Sequence, residues 1–135
     1  MALVIVDSGR NGSGKALPSL AAAFRAAGLP VVHAVAPEAP ADAAWELDRD
    51  LLDAGGVQTL GRAELAIALR GRSAFDATPL DALLRGLGVD TVVVGGPVPS
   101  PGVSSSVKAG ELRGYRVLLA TDELAVTLGA HIRAA

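Results

Sequence analysis

The chain begins with an uninterrupted apolar run, Ala2-Leu3-Val4-Ile5-Val6, that ends in the carboxylate Asp7. Apolar residues without alternation predict a strand buried on both faces, as in a parallel sheet that helices cover on both sides. In such sheets, ligands bind at the carboxyl ends of the strands. Asp7 lies at that end and is therefore a candidate functional residue. An equally weighted alternative is that Asp7 only caps the turn into Ser8-Gly9.

Strand and helix signals alternate along the rest of the chain. Four more strands are predicted, at residues 31–36, 64–69, 91–95 and 115–120. Four helices are predicted. The first covers residues 15–27, the second has Thr78 as its N-cap and Pro79 in its first helical position, the third follows residue 102 and ends at Gly114, and the last begins at Asp122. Residues 44–54 are ambiguous. The alternation predicts an α/β fold, namely a three-layer α/β/α sandwich with a mostly parallel, Rossmann-like sheet of about five strands, in a single domain over residues 1–135.

The composition excludes several classes of protein. The 135 residues include no cysteine, which excludes disulfides, thiolate metal sites and a cysteine nucleophile. A net charge of −2 gives no electrostatic footprint for nucleic acid or a membrane surface. No apolar run is long enough to span a bilayer, and no targeting segment precedes the first strand, so we expect a cytoplasmic protein. We expect neither a cofactor nor a bound metal.

Residues 9–15 have the pattern of a phosphate-binding loop, because Gly9-x4-Gly14-Lys15 lies between a predicted strand and a predicted helix. Two features weigh against this function. Ala16 stands where such loops carry a hydroxyl for Mg²⁺, and no second strand ends in an acidic residue suited to the metal. A P-loop-like nucleotide binder is therefore a third function, and the alternative is a glycine-rich loop over a pocket.

Four stretches, in order along the chain, resemble the isochorismatase-like (cysteine hydrolase) superfamily. They are residues 3–7 (LVIVD), 72–80 (RSAFDATPL), 88–96 (GVDTVVVGG) and 114–117 (GYRV) with Asp122. Hydrolases of this superfamily use an aspartate, a lysine and a cysteine. The resemblance assigns the aspartate to Asp7, the lysine to Leu69 and the cysteine to Gly102. Arg70, next to Leu69, is a candidate to replace the lysine.

Glycine at the cysteine position does not by itself imply an inactive site, because the resemblance includes the isochorismatase branch, whose reaction needs no nucleophile and in which this position can be glycine. In that reaction a vinyl ether is protonated at carbon, and water captures the resulting oxocarbenium ion. Asp7 is the candidate general acid, since burial raises the pKa of a carboxyl group. Arg70 and Gly102 are the further catalytic candidates. The candidate substrate-binding residues are Arg10, Lys15, Trp45, Arg72, Phe75, Val98, Pro99, Ser100 and Val103.

The resemblance carries two further expectations. The superfamily has a cis peptide before the nucleophile helix, which corresponds here to Val98-Pro99, and proline reduces the cost of that conformer to about 0.5–1 kcal/mol. Its nicotinamidase-type metal cluster needs histidines, whereas this chain has only His33 and His131. His33 lies in the middle of a predicted strand and is interpreted as a core residue.

Two main functions compete at this point. The first is an isochorismatase-like hydrolase or lyase that acts on a small carboxylated substrate without a cysteine, with Asp7 as general acid or base. The second is a catalytically inactive member that serves as a ligand-binding or protein-interaction scaffold, which the missing cysteine and lysine favour. The expected partners are a small-molecule substrate and further copies of the chain, as a dimer or larger homo-oligomer, and neither nucleic acid nor membrane.

Overall fold

A computed structural model describes residues 1–8, 16–36, 47–97 and 101–134 of the chain. The strands along these residues are β1 (Ala2–Ser8), β2 (Val31–Val35), β3 (Gln58–Gly61), β4 (Glu64–Ala68), β5 (Thr91–Gly95) and β6 (Arg116–Leu119). The helices are α1 (Ala16–Ala26), α2 (Arg49–Asp53), α3 (Leu80–Gly86), α4 (Pro101–Leu112) and α5 (Asp122–Ala134). None of these described helices is long and apolar enough to cross a membrane.

The strands form one sheet in the order β3-β4-β2-β1-β5-β6. All neighbouring strands run parallel except β3 and β4, which are antiparallel. β1 lies in the interior of the sheet, where Ile5 pairs with His33 of β2 on one side and with Gly95 of β5 on the other. The mostly parallel α/β sheet predicted from the sequence is confirmed.

Alternate residues of β1 face opposite helical layers. Leu3 and Ile5 pack in a cluster with side chains of α1 and α5, whereas Val4 and Val6 pack in a cluster with side chains of α3 and α4. All four side chains are buried. Burying each of them stabilises the fold by about 1.5–3 kcal/mol. Helices on both faces therefore explain why the first apolar run shows no alternation.

The described sheet has six strands where about five were predicted, and the additional strand is β3 at the edge of the sheet. The four residues of β3 alternate between half-buried and exposed, so no apolar run marks the strand. A turn at Arg62 and Ala63 joins β3 to β4, and Ala63 has a φ of 59°. Neither turn residue is the glycine or asparagine that usually signals a tight hairpin.

The helix predicted to start after Thr78 begins one residue later than expected. Pro79 is the N-cap, and the first helical residue of α3 is Leu80. Thr78 nevertheless orders this region, because its hydroxyl accepts a hydrogen bond from the Leu80 amide at 3.3 Å and donates one to the Ala74 carbonyl. In the ambiguous segment 44–54, the structure describes residues 47–54, and within these the helical residues are those of α2.

A network of ionisable side chains joins α1, β2 and β4. Glu64 accepts hydrogen bonds from Nε and Nη2 of Arg25, each at 2.8 Å, and its Oε2 lies 2.7 Å from His33 Nε2. The bonds from Arg25 lower the pKa of Glu64. Burial lowers the pKa of His33, although Glu64 acts in the opposite direction. His33 is 2% exposed, which confirms its interpretation as a core residue.

Candidate functional site

A cavity of about 490 Å³ opens where the segment after β4 meets the first turns of α4. Among the described residues, its lining consists of Leu69, Gly71, Arg72, Pro101, Gly102 and Ser105. Leu69 directly follows β4, and α4 follows β5. This site cavity therefore lies at the carboxyl ends of parallel strands, where ligands bind in sheets of this kind.

Leu69 and Gly102 line the same site cavity. These are the positions that the resemblance assigns to the lysine and the cysteine. Gly102 leaves space beside the first turn of α4, whose leading amides carry partial positive charge. Leu69 presents an apolar side chain where an ammonium group is expected. Among the described lining residues, there is thus neither a thiol nor the lysine that would stabilise its anion.

Arg72 is the charged member of the described lining, and a tight turn fixes its backbone. The Ser73 amide donates to Asp76 Oδ2 at 3.1 Å, and the Phe75 amide donates to Ser73 Oγ at 3.1 Å. The hydrogen bonds from Ser73 lower the pKa of Asp76, so it stays a carboxylate. Only glycine fits at position 71, because a Cβ on Gly71 would lie 2.7 Å from Asp76 Cβ.

A buried hydrogen bond connects this turn to α4. The hydroxyl of Ser106 is fully buried and accepts a bond from the Ala74 amide at 2.8 Å. Because Gly102 and Ser105 belong to the same helix, the bond fixes the distance between the two walls of the site cavity. No pattern in the sequence distinguishes Ser106 from the serines that precede it.

Gly96 allows the carboxyl end of β1 to approach α4. A Cβ on Gly96 would lie 2.6 Å from the carbonyl oxygen of Val6 and 2.8 Å from Cγ2 of Val103. Asp7 follows Val6, and Gly102 precedes Val103 in the chain. The carboxyl end of β1 and the first turn of α4, which carry the two candidate positions, therefore meet around Gly96.

Asp7 occupies an irregular point of β1. The pairing of β1 with β2 shifts register between Val6 and Ser8, so that Asp7 is the extra residue on the β1 side. Bulges of this kind are frequent next to active sites, where they redirect a side chain. The side chain of Asp7 itself lies outside what the structure describes, and its catalytic role stays a prediction.

Arg70 belongs to a neighbouring cavity rather than to the site cavity. This second cavity, of about 350 Å³, is lined by Val35, Arg49, Asp53, Ala68, Leu69 and Arg70. Arg70 Nη2 donates hydrogen bonds to the carbonyl oxygens of Leu52, at 3.3 Å, and Asp53. These bonds engage the guanidinium at the end of α2. The structure thus does not bring the Arg70 guanidinium together with Gly102. That Arg70 replaces the family's lysine stays a prediction.

Phe75 and Val103, two predicted substrate-binding residues, lie in the core instead of lining the site cavity. The Phe75 ring is 4% exposed and stacks on Tyr115 with ring centroids 5.8 Å apart. The guanidinium of Arg113 covers the same ring, 5.0 Å from its centroid. Val103 is 7% exposed and packs beside Gly96. Both side chains fill space between α4 and the sheet, which explains why they are apolar.

The remaining predicted residues lie outside the described part of the chain. They are Arg10, Lys15, Trp45, Val98, Pro99 and Ser100. The phosphate-loop pattern and the cis Val98-Pro99 bond therefore stay predictions. Among the residues that are described, no group of three or more His, Cys, Asp or Glu side chains is arranged to hold a metal ion.

Ser105 is a lining residue that the sequence prediction missed. It lies three residues after Gly102, and residues three apart on a helix share a face. The spacing of Gly102 and Ser105 could therefore have predicted that both residues line one cavity, as the structure shows.

Comparison with known proteins identifies the family. The isochorismatase domain model matches residues 7–127. An isochorismatase family protein from Burkholderia thailandensis is 27% identical, with a TM-score of 0.64, over 90% of this chain and 76% of that chain. N-carbamoylsarcosine amidase from Thermoplasma acidophilum is 25% identical, with a TM-score of 0.64, over 90% of this chain and 81% of that chain.

A nicotinamidase from Staphylococcus aureus is 14% identical, with a TM-score of 0.61, over 98% of this chain and 92% of that chain, and at that identity the likeness shows the fold alone. No protein with a curated function matches the sequence. The family model nevertheless covers most of the chain, and the structural neighbours are hydrolases or members of the same family. The chain therefore belongs to the isochorismatase family and has the fold of its hydrolases.

Proposed function

We propose that the protein is a cysteine-independent hydrolase that cleaves a small enol ether bearing a carboxylate. The observation that carries the proposal is that Gly102 and Leu69 line one cavity. Thiolate catalysis needs a sulfur nucleophile, which the chain lacks. Acid-catalysed cleavage of an enol ether needs only a positioned proton donor and water.

Asp7 is the proton donor in the proposed reaction. Its carboxylic acid transfers a proton to the terminal vinyl carbon, which leaves an oxocarbenium ion at the ether-bearing carbon. Water adds to that carbon and returns a proton to Asp7. The hemiketal then breaks its bond to the ether oxygen, which takes the hemiketal proton, so that an alcohol and a keto acid are released. One water molecule is consumed, and no oxidant or reductant is needed.

The described lining of the site cavity suits such a substrate. Arg72 supplies a guanidinium, which binds carboxylates in a bidentate manner. Its backbone is fixed by the turn between Gly71 and Asp76. Leu69 also supports the proposal, because an ammonium group at that position would favour ionisation of a nearby acid, whereas leucine does not.

The test uses 2-methoxyacrylate, whose hydrolysis gives pyruvate and methanol. Pyruvate is followed by coupling to lactate dehydrogenase and NADH. We expect turnover by the wild-type protein, and we expect Asp7→Asn to reduce kcat by about 10²–10⁴-fold, the contribution of one positioned acid. The melting temperature should change little. Nicotinamide serves as the amide control and should release no ammonia.

A catalytically inactive ligand binder is the second candidate, because the positions of the cysteine and lysine hold Gly102 and Leu69. This candidate predicts that 2-methoxyacrylate binds to the wild-type protein and to Asp7→Asn, and that neither forms pyruvate. Saturating ligand without pyruvate above the uncatalysed rate would therefore reject the hydrolase and retain the binder.

A further inference from the structure

Three consecutive serines of α4 lie in three different environments. Ser104 is exposed, Ser105 is half-buried and lines the site cavity, and Ser106 is fully buried. Ser106 already has a structural task, since it accepts the hydrogen bond from the Ala74 amide. Successive side chains of a helix are about 100° apart, so the three hydroxyls face solvent, cavity and core in turn.

We infer that the Ser105 hydroxyl binds the substrate by donating a hydrogen bond to a neutral oxygen next to the carboxylate, such as an ether oxygen. The inference rests on the proposed function, because it concerns the same site cavity. Arg72 is the stronger partner for the carboxylate, since hydrogen bonds between ionised groups are about twice as strong as neutral ones. The hydroxyl of Ser105 is then matched to the uncharged oxygen.

A binding role fits the surroundings of Ser105 better than a nucleophilic one. A serine nucleophile needs an adjacent general base. Among the described residues that line the site cavity with Ser105, there is no histidine, lysine or carboxylate. Ser105 also lies one turn beyond Gly102, the position that corresponds to the family's cysteine. The hydroxyl therefore holds the ligand instead of attacking it.

This role makes Ser105 a specificity-determining residue. The cavity wall near it includes the apolar side chains of Leu69 and Pro101. In such surroundings, a hydroxyl discriminates between an oxygen and a methylene group at the same place in the ligand, because only the oxygen accepts its hydrogen bond. Substrates with an ether or hydroxyl oxygen beside the carboxylate are therefore preferred over purely aliphatic acids.

The experiment compares methoxyacetate with butanoate, which have the same length and differ by one oxygen in place of one methylene. Dissociation constants are measured by calorimetry or NMR titration for the wild-type protein, Ser105→Ala and the exposed control Ser104→Ala. We expect Ser105→Ala to reduce the preference for methoxyacetate by about threefold to tenfold, the effect of one neutral hydrogen bond. Ser104→Ala should leave the preference unchanged.

A second pair of variants guards against misfolding of Ser105→Ala. Ser105→Thr and Ser105→Val have nearly the same shape, and only the first retains a hydroxyl, so only the first should retain the preference. Arg72→Gln should weaken both ligands by the same factor. An unchanged preference in Ser105→Ala and Ser105→Val, or no binding of methoxyacetate to the wild-type protein, would overturn the inference. Methoxyacetate and butanoate are not hydrolysed, so this binding test is independent of the proposed reaction. If Ser105→Ala reduced the preference for methoxyacetate but the wild-type protein formed no pyruvate from 2-methoxyacrylate, the proposed reaction would be rejected and the role of Ser105 in binding would be retained.

Discussion

The backbone amide of Ala74 donates a hydrogen bond to the hydroxyl of Ser106 over 2.8 Å, and both residues are fully buried. Ala74 belongs to the turn that carries Arg72, and Ser106 belongs to the helix that carries Gly102. One bond therefore connects the two walls of the site cavity. Its loss leaves a buried amide without a partner, which is more costly than the loss of an exposed bond.

We therefore expect Ser106→Ala to lower the free energy of unfolding by about 1–3 kcal/mol. Urea denaturation monitored by circular dichroism measures the change. Ser104→Ala is the matched control on the same helix, and an exposed substitution of this kind should stay within about 0.5 kcal/mol of the wild type. Equal stability of the two variants would show that the Ala74 amide finds another partner.

Gly96 provides a second prediction about the contact between β1 and α4. A methyl group at this position would press on the Val6 carbonyl and the Val103 side chain, and overpacking of this kind costs about 1–3 kcal/mol. Gly96→Ala should therefore destabilise the protein in urea and lower kcat/KM for 2-methoxyacrylate. Gly86→Ala is the control, because a Cβ at the end of α3 meets no atom within 4 Å. This control should gain stability, by about 0.5–1 kcal/mol.

The outline of the fold was predictable from the sequence because a strand that is buried on both faces, such as β1, has apolar residues at consecutive positions. β3 was not predictable in this way, since an edge strand with alternately exposed residues buries too little to show such a run. Of the described residues that line the site cavity, Gly102 and Arg72 were among the predicted site residues, and Leu69 was predicted as the position of the family's lysine. Two of the predicted residues that follow β4, Arg70 and Arg72, enter different cavities, and this depends on the path of the turn rather than on residue type.

The network around Glu64 leads to a prediction about stability rather than activity. Glu64→Gln keeps the size of the side chain but removes the charge that Arg25 and His33 contact. Hydrogen bonds to charged groups contribute about 1.5–3 kcal/mol, so we expect a loss of about 2–3 kcal/mol in urea denaturation. Glu111→Gln, an exposed change on α4, should have almost no effect. A loss below about 0.5 kcal/mol for Glu64→Gln would mean that the network contributes no net stability.

Acid should weaken the fold in two stages, because His33 and Glu64 both have a lowered pKa in the folded protein. A lowered pKa means that the unfolded chain binds more protons, so stability falls as pH falls. The contribution of His33 is lost below its ordinary pKa of 6.5, and that of Glu64 below 4.5. Urea denaturation at a series of pH values should therefore show a decline that begins near pH 6.5. His33→Gln should remove this first decline, whereas the exposed His131→Gln should retain it.

The final prediction concerns the two positions that replace the family's lysine and cysteine. Gly102→Cys introduces a single thiol at the start of α4, and because the natural chain has no cysteine, iodoacetamide alkylation reports on this thiol alone. The alkylation rate measured against pH gives the midpoint of thiolate formation. Adding Leu69→Lys should lower that midpoint by about one to three pH units, because a nearby ammonium group stabilises a thiolate. Leu69→Met is the uncharged control and should leave the midpoint unchanged. If the Leu69→Lys and Leu69→Met variants gave the same midpoint, a charge at position 69 would not affect a group at position 102. The absence of a lysine at position 69 would then be no argument about the chemistry of the site cavity.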